Sequence, residues 1–185
     1  VQGDQYAALY SETVTVQLEN DFLPFLYPNQ YVNFTPDSKA SQLALSMIDE
    51  DTVDVDALQQ IYNYVVSNLT YDYEKADTVT TGYLPDVDET LETGTGICFD
   101  YAALTTAMLR SCDIPCKLQI GYAGDIKHAW IDVYIRSKGW VNQAVSFKGD
   151  TWTLMDPTFD SNSDDKEAIQ DYIGDESNYT VQFTR

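Results

Sequence analysis

Cys98 follows Gly94-Thr95-Gly96-Ile97 and precedes the Ala- and Leu-rich residues 99–110, so two glycines lead the chain tightly into what reads as a short buried helix. A thiol at the first turn of such a helix meets its positive end. The exposed backbone N–H groups there favour thiolate over thiol and can also hold an oxyanion on an attacked carbonyl. A cysteine nucleophile needs a base, and the chain contains a single histidine, His128, which opens the run His128-Ala129-Trp130-Ile131-Asp132-Val133. The imidazole needs a group to hold its ring, and Asp156, fixed by the following Pro157, comes just after a strand-like segment. Taken singly, each residue has an ordinary reading. Free cysteine is among the most buried residue types, a lone strand histidine is usually structural, and aspartate before proline is a common turn former. Their joint order predicts a nucleophile, Cys98, a general base, His128, and an orienting carboxylate, Asp156.

The elements that must position these groups change texture along the chain. Residues 38–48 read as a helix with Leu43, Leu45, Met47 and Ile48 as its apolar content. From Asp54 the pattern Leu58, Ile61, Tyr62, Val65, Leu69 gives an amphipathic helix, with Asp54 or Asp56 where an N-cap belongs. Residues 71–96, rich in Thr, Gly, Pro and Asp, read as a long loop, and such connections in compact domains are more often functional than idle. Beyond Cys116 come four β segments, 117–122, 128–135, 140–147 and 152–155, separated by turn-like Arg136-Ser137-Lys138-Gly139 and Lys148-Gly149-Asp150. Helices first and a strand meander afterwards predict an α+β fold with N-terminal helices packed on an antiparallel sheet. The first forty residues and the acidic tail after Phe159 carry little pattern. Trp130, Trp140 and Trp152 read as core or groove-wall residues, and Tyr62, Tyr64, Tyr71 and Tyr73 as packing residues or the lining of a peptide groove.

A chain of 185 residues with 44% hydrophobic content supports one core and predicts one compact domain. With 10 basic against 30 acidic side chains, the net charge of −20 opposes binding to nucleic acid and to anionic membranes. No stretch approaches the roughly 20 apolar residues of a membrane span. The opening Val1-Gln2-Gly3-Asp4 has neither an initiator Met nor an apolar signal core, so the chain is expected to be a trimmed or processed piece. Little lysine, 14 tyrosines and much Ser, Thr and Asn suggest an extracellular or cell-surface protein of bacterial type. Three cysteines leave at least one thiol outside any internal bridge, and Cys98 is the candidate for it. Cys112 and Cys116 fit either a bridge across Asp113-Ile114-Pro115 or two buried, inert thiols.

Three motifs, Gly94-Thr95-Gly96-Ile97-Cys98-Phe99-Asp100-Tyr101-Ala102, His128-Ala129-Trp130 and Asp156-Pro157-Thr158, together with residues 61–73, resemble the transglutaminase-like core, a branch of the papain-like cysteine fold. The resemblance covers residues 54–160. It divides the chain into an N-terminal extension at 1–53 with a helix packing on the core, the core itself, and an acidic C-terminal tail at 161–185. It implies that Cys98, His128 and Asp156 act as nucleophile, general base/acid and orienting carboxylate, in thioester formation on an amide followed by transfer to an amine or water. It also implies an upstream oxyanion-hole side chain, for which Tyr71 is the candidate and Tyr73 the second choice. Animal relatives use calcium, but the loop Asp160-Ser161-Asn162-Ser163-Asp164-Asp165 lacks the glycine and glutamate of an EF-hand, so no metal and no cofactor is expected. The expected partner is a protein or peptide substrate, a cell-wall peptide among the options. The competing reading is a cell-surface or cell-wall binding module that keeps the fold. A redox or metal site on Cys112 and Cys116 ranks last, since C-x-x-x-C is not the redox spacing and one histidine supplies too few ligands.

Overall fold

The computed structural model describes residue 10 and residues 12–49, 51–142, 145–148, 151–154 and 179–185, with 145–148 and 151–154 described by their backbone. Among the described residues a short 3-10 turn (Leu23–Phe25) is followed by five α-helices and eight strands in the order α1 (Lys39–Met47), α2 (Asp54–Asn68), β1 (Thr70–Tyr71), α3 (Tyr73–Thr78), α4 (Val87–Thr93), β2 (Thr95–Gly96), α5 (Cys98–Ser111), β3 (Cys116–Ala123), β4 (Ile126–Ile135), β5 (Gly139–Val141), β6 (Val145–Lys148), β7 (Thr151–Leu154) and β8 (Tyr179–Thr184). The architecture is α+β, helices against an antiparallel sheet of order β5-β4-β3-β8, with β6 and β7 forming a separate hairpin.

The α5 helix is the hub, buried from Asp100 through Arg110 and packed against α1, α2, α4, β3 and β4. Its all-round apolar character makes it a core helix rather than a surface one. On α2 the expected stripe, Leu58, Ile61, Tyr62, Val65 and Leu69, is buried. Asp54 is the first helical residue and not the cap, a position held by Val53; its carboxylate instead accepts from the Arg136 N–H at 3.0 Å. On α1 the buried face is made of Ala40, Ser41 and Ala44, whereas Leu45 is exposed. Small side chains let α1 approach α5 closely enough for the Ser111 hydroxyl to donate to Ser41 at 2.8 Å.

Residues 71–96 are not one irregular loop. Asp72 caps α3 by accepting from the Lys75 N–H at 2.8 Å, and Asp86 caps α4 by accepting from the Asp88 and Glu89 N–H groups. The expected strand 140–147 divides into β5, on the main sheet, and β6, on the hairpin. The end of the acidic tail is strand β8, antiparallel to β3 at the sheet edge. In the N-terminal stretch Phe22 and Phe25 pack their rings on Trp140, and Val32 is fully buried.

Arg110 ties these parts together. Its guanidinium, 2% exposed, donates to the Cys116 carbonyl from Nε and Nη2 at 3.0 and 2.7 Å, to Tyr27 at 2.7 Å and to Arg185 at 2.9 Å. Gln119 performs a similar task across the sheet, donating to Asp132 at 2.5 Å and accepting from Thr184 at 2.7 Å.

Candidate active site

Cys98 is the first residue of α5 and half-buried, after Ile97 in extended conformation. The Ile97 carbonyl accepts the N–H groups of Asp100 and Tyr101 at 2.9 and 3.1 Å, which begins the helix directly at the thiol. Two glycines make this approach possible. Gly94 closes α4 in the left-handed region, φ 63°, its N–H donating to Thr90 at 3.0 Å. At Gly96 a Cβ would stand 2.6 Å from the Asp100 Cβ, so only glycine lets the carboxylate fold back over the turn.

That approach is held on two sides. Strand β1 pairs in parallel with β2, the Thr70 N–H donating to Gly94 and the Asp72 N–H to Gly96, both at 2.9 Å. Tyr71 is thereby set opposite Gly96, two residues before Cys98, half-buried against the core with its ring 5.0 Å from Tyr73. Tyr73 itself is exposed. On the other side the fully buried Asp100 carboxylate accepts from the Ile97 N–H at 2.8 Å, the Tyr83 hydroxyl at 2.5 Å and the Lys75 ammonium at 2.8 Å. Burial, and then the hydrogen bond to Asp100, push the Tyr83 hydroxyl up to about 12. Burial works against the Lys75 ammonium, but its bonds to Asp100 and Tyr83 outweigh it and raise the pKa above the ordinary lysine value. Lys75 and Tyr83 fell within the apparent loop; the recoverable signals were Asp72 three residues before Lys75 and Asp100 three residues after Ile97, both in capping register.

His128 is the third residue of β4, buried, opposite Gly121 on β3, with its ring stacked on Trp130 at 6.2 Å and 6.5 Å from Tyr179. By strand alternation it shares a face with Trp130 and Asp132, while Ala129, Ile131 and Val133 join the main core under the helices. The thiol and imidazole are carried by α5 and β4, which pack on one another, but the imidazole lies on the β4 face opposite the one that joins the core under the helices. Asp156 and the loop at 160–165 lie outside the described residues, as does the side chain of Trp152. Trp130 and Tyr62 are core residues, Tyr64 packs half-buried against the core, and Trp140 stacks beneath the Lys117 ammonium at 3.7 Å. Among the described residues no cluster of His, Cys, Asp or Glu is arranged to hold a metal ion.

Cys112 and Cys116 are free thiols, so the bridge their spacing allowed is not formed. Burial pushes them up to about 11 and about 12 respectively, which makes both poor nucleophiles at neutral pH.

The sequence profile of the transglutaminase-like superfamily matches residues 41–157, a span that includes Cys98, His128 and Asp156. The chain belongs to the transglutaminase-like superfamily. Solved structures agree on the fold. A candidate cysteine protease from Cytophaga hutchinsonii aligns with a TM-score of 0.60 at 22% identity, over 91% of this chain and 48% of its own. The periplasmic domain of TgpA from Pseudomonas aeruginosa aligns with a TM-score of 0.50 at 18% identity, over 70% of this chain and 46% of its own. The transglutaminase-like chain described here therefore spans about half the length of these structures. No curated protein matches it. Membership brings a cysteine-based catalytic fold, and the described residues contain no helix long and apolar enough to cross a membrane.

Proposed function

We propose that the protein is a cysteine acyl-transfer enzyme acting on amide or peptide bonds, with Cys98 as nucleophile, His128 as general base and acid, and Asp156 as the carboxylate that orients the imidazole. The observation that carries this reading is the placement of Cys98 as the first residue of the central helix, behind glycines pinned from both sides, in a chain of the transglutaminase-like superfamily. The Cys98 thiolate adds to the carbonyl carbon, the oxyanion is met by backbone N–H groups at the helix start and by Tyr71, and His128 gives its proton to the departing amine. The resulting thioester is then attacked by water or a primary amine, whose proton His128 removes as Cys98 leaves. Hydrolysis and cross-linking differ only in that acceptor, and a peptidase or amidase is the favoured form.

The substrate is a protein or peptide, with cell-wall peptides one class, and the site of action is extracellular or at the cell surface. The periplasmic origin of one structural neighbour supports the compartment. The division into an extension at 1–53, a core at 54–160 and a tail at 161–185 is part of the same proposal.

The test is alkylation by iodoacetamide followed by peptide mapping, comparing the chain with His128→Ala and Asp156→Ala across pH 4–9. Cys98 alone should take the label at neutral pH, because burial suppresses Cys112 and Cys116. Loss of the low-pH part of Cys98 labelling in His128→Ala is the expected result. Labelling of Cys98 that is indifferent to His128 across the whole range would sink the enzyme reading in favour of a binding module.

A further inference from the structure

Asp100 is a carboxylate with no exposure, placed two residues after the proposed nucleophile on the first turn of the same helix. An anion there has two opposite effects on Cys98. By accepting the Ile97 N–H at 2.8 Å it fixes the peptide that leads into the thiol. By its charge it opposes formation of a second anion one residue further along.

The structure resolves this conflict with Lys75. The Oδ2 atom that accepts from Ile97 also takes the Lys75 ammonium at 2.8 Å, so the counter-charge sits on the same oxygen that does the positioning. Tyr83 completes the arrangement by donating to Oδ1 at 2.5 Å, while its ring lies 4.6 Å beneath the Lys75 ammonium. The three side chains come from α3, from the segment between α3 and α4, and from α5, and none belongs to the Cys98–His128–Asp156 set. Lys75 is the member with access to solvent, its side chain 30% exposed beside a cleft of about 380 Å³ walled by Asp72, Glu74 and Glu89.

We propose that Lys75, Asp100 and Tyr83 form a charge-balanced clasp that positions Cys98 and stops the buried carboxylate from opposing its ionisation. All three are positioning residues, and the inference rests on the reading of Cys98 as the nucleophile. A purely structural clasp would fail further each time a member is removed. A charge-balancing one is repaired when the unbalanced charge is removed as well.

Four variants separate these cases by the alkylation rate of Cys98, mapped by peptide and read at the pH where the unaltered chain reacts at half its plateau rate. Asp72, Glu74 and Glu89 are present unchanged in every variant. Lys75→Met strands the carboxylate and slows labelling about five-fold, the loss in thiolate being partly offset by a more nucleophilic sulfur. Lys75→Arg keeps the charge and stays within about two-fold. Asp100→Asn, whose amide oxygen can still accept from Ile97 while its NH₂ faces Tyr83, leaves Lys75 uncompensated and moves the half-plateau pH downward; at the reading pH, where half the thiol is already ionised, the rate rises by no more than about two-fold. Combining Lys75→Met with Asp100→Asn returns the rate to within about two-fold of the starting chain.

A double variant as slow as Lys75→Met alone, or slower, overturns the clasp, as does a Lys75→Met rate equal to that of Lys75→Arg. Lys75 is on the surface, so that second comparison stands even if Asp100→Asn fails to fold. Indifference of Cys98 to His128→Ala would instead strike the triad, leaving this cycle readable; a failed cycle with His128 dependence intact strikes the clasp alone.

Discussion

Replacing Arg110 with methionine probes the point where the central helix is tied to both ends of the described chain. The guanidinium makes four hydrogen bonds to three carbonyls, those of Cys116, Tyr27 and Arg185, at 2.7–3.0 Å. Methionine retains much of the stem's packing but leaves the Cys116 and Tyr27 acceptors without this donor, whereas the Arg185 carbonyl still accepts the Leu118 N–H at 2.9 Å. An orphaned buried acceptor costs about 1–3 kcal/mol, so the two together cost roughly 2–6 kcal/mol before any relaxation. Two terms reduce that loss. No carboxylate pairs with Arg110 among the described residues, and burial, which lowers its pKa, is a penalty that methionine escapes. The Tyr27 residue is exposed, so its carbonyl can turn toward water. The expected net loss is about 3 kcal/mol, near the low end of the range for breaking a buried charged network. With a urea m-value of about 2 kcal/mol/M, the unfolding midpoint falls by about 1.5 M. Circular dichroism in a urea series measures it, with Arg110→Lys expected between the two because an ammonium lacks the planar fork. A shift below about 0.5 M for Arg110→Met would show that the carbonyls find other partners and that the tie is dispensable.

The hydroxyl of Tyr83, at about 12 in the folded chain against 10.0 ordinarily, binds its proton more tightly when folded. Its contribution is therefore complete below pH 10 and fades as the pH climbs toward 12; the gap in urea midpoint between the unaltered chain and Tyr83→Phe should narrow from pH 9 to 11.5, and a constant gap would contradict the bond to Asp100. At Gly121 a Cβ would lie 1.9 Å from the Thr180 carbonyl oxygen. Gly121→Ala should push β8 off β3 and speed amide exchange at residues 179–184 about ten-fold or more, consistent with an overpacking cost of 1–3 kcal/mol, and unchanged protection there would refute the contact.

The sequence was most informative where one physical rule decided the outcome. The α2 stripe from Leu58 to Leu69 and the buried run after Cys98 are periodic enough to read directly, and the three-strand stretch β3-β4-β5 follows from alternation and turn residues. Placing Cys98 at a helix start needed only the glycines before it and the apolar run after it. Short helices were harder to see, because α3 and α4 have 6 and 7 residues and no buried stripe long enough to show a period. Their evidence lies in caps, Asp72 and Asp86, which look like ordinary loop aspartates. On α1 the larger apolar residues misled, since close packing on α5 selects Ala40, Ser41 and Ala44. Long-range partners left no local trace: nothing near Asp100 announces Lys75 or Tyr83, and nothing near Trp130 announces Tyr179 at 5.1 Å.

Strand β8 also sets a clock. Its partner β3 ends at Ala123, so a ribosome must add more than fifty further residues before Tyr179 appears. At about 5–20 residues per second, that leaves the outer edge of β3 open for several seconds in every nascent chain. An open edge is a template for pairing with a neighbouring chain. Of the residues made during that wait, 156–178 carry eight acidic side chains against one lysine, a composition that repels neighbouring nascent chains until β8 covers the edge of β3.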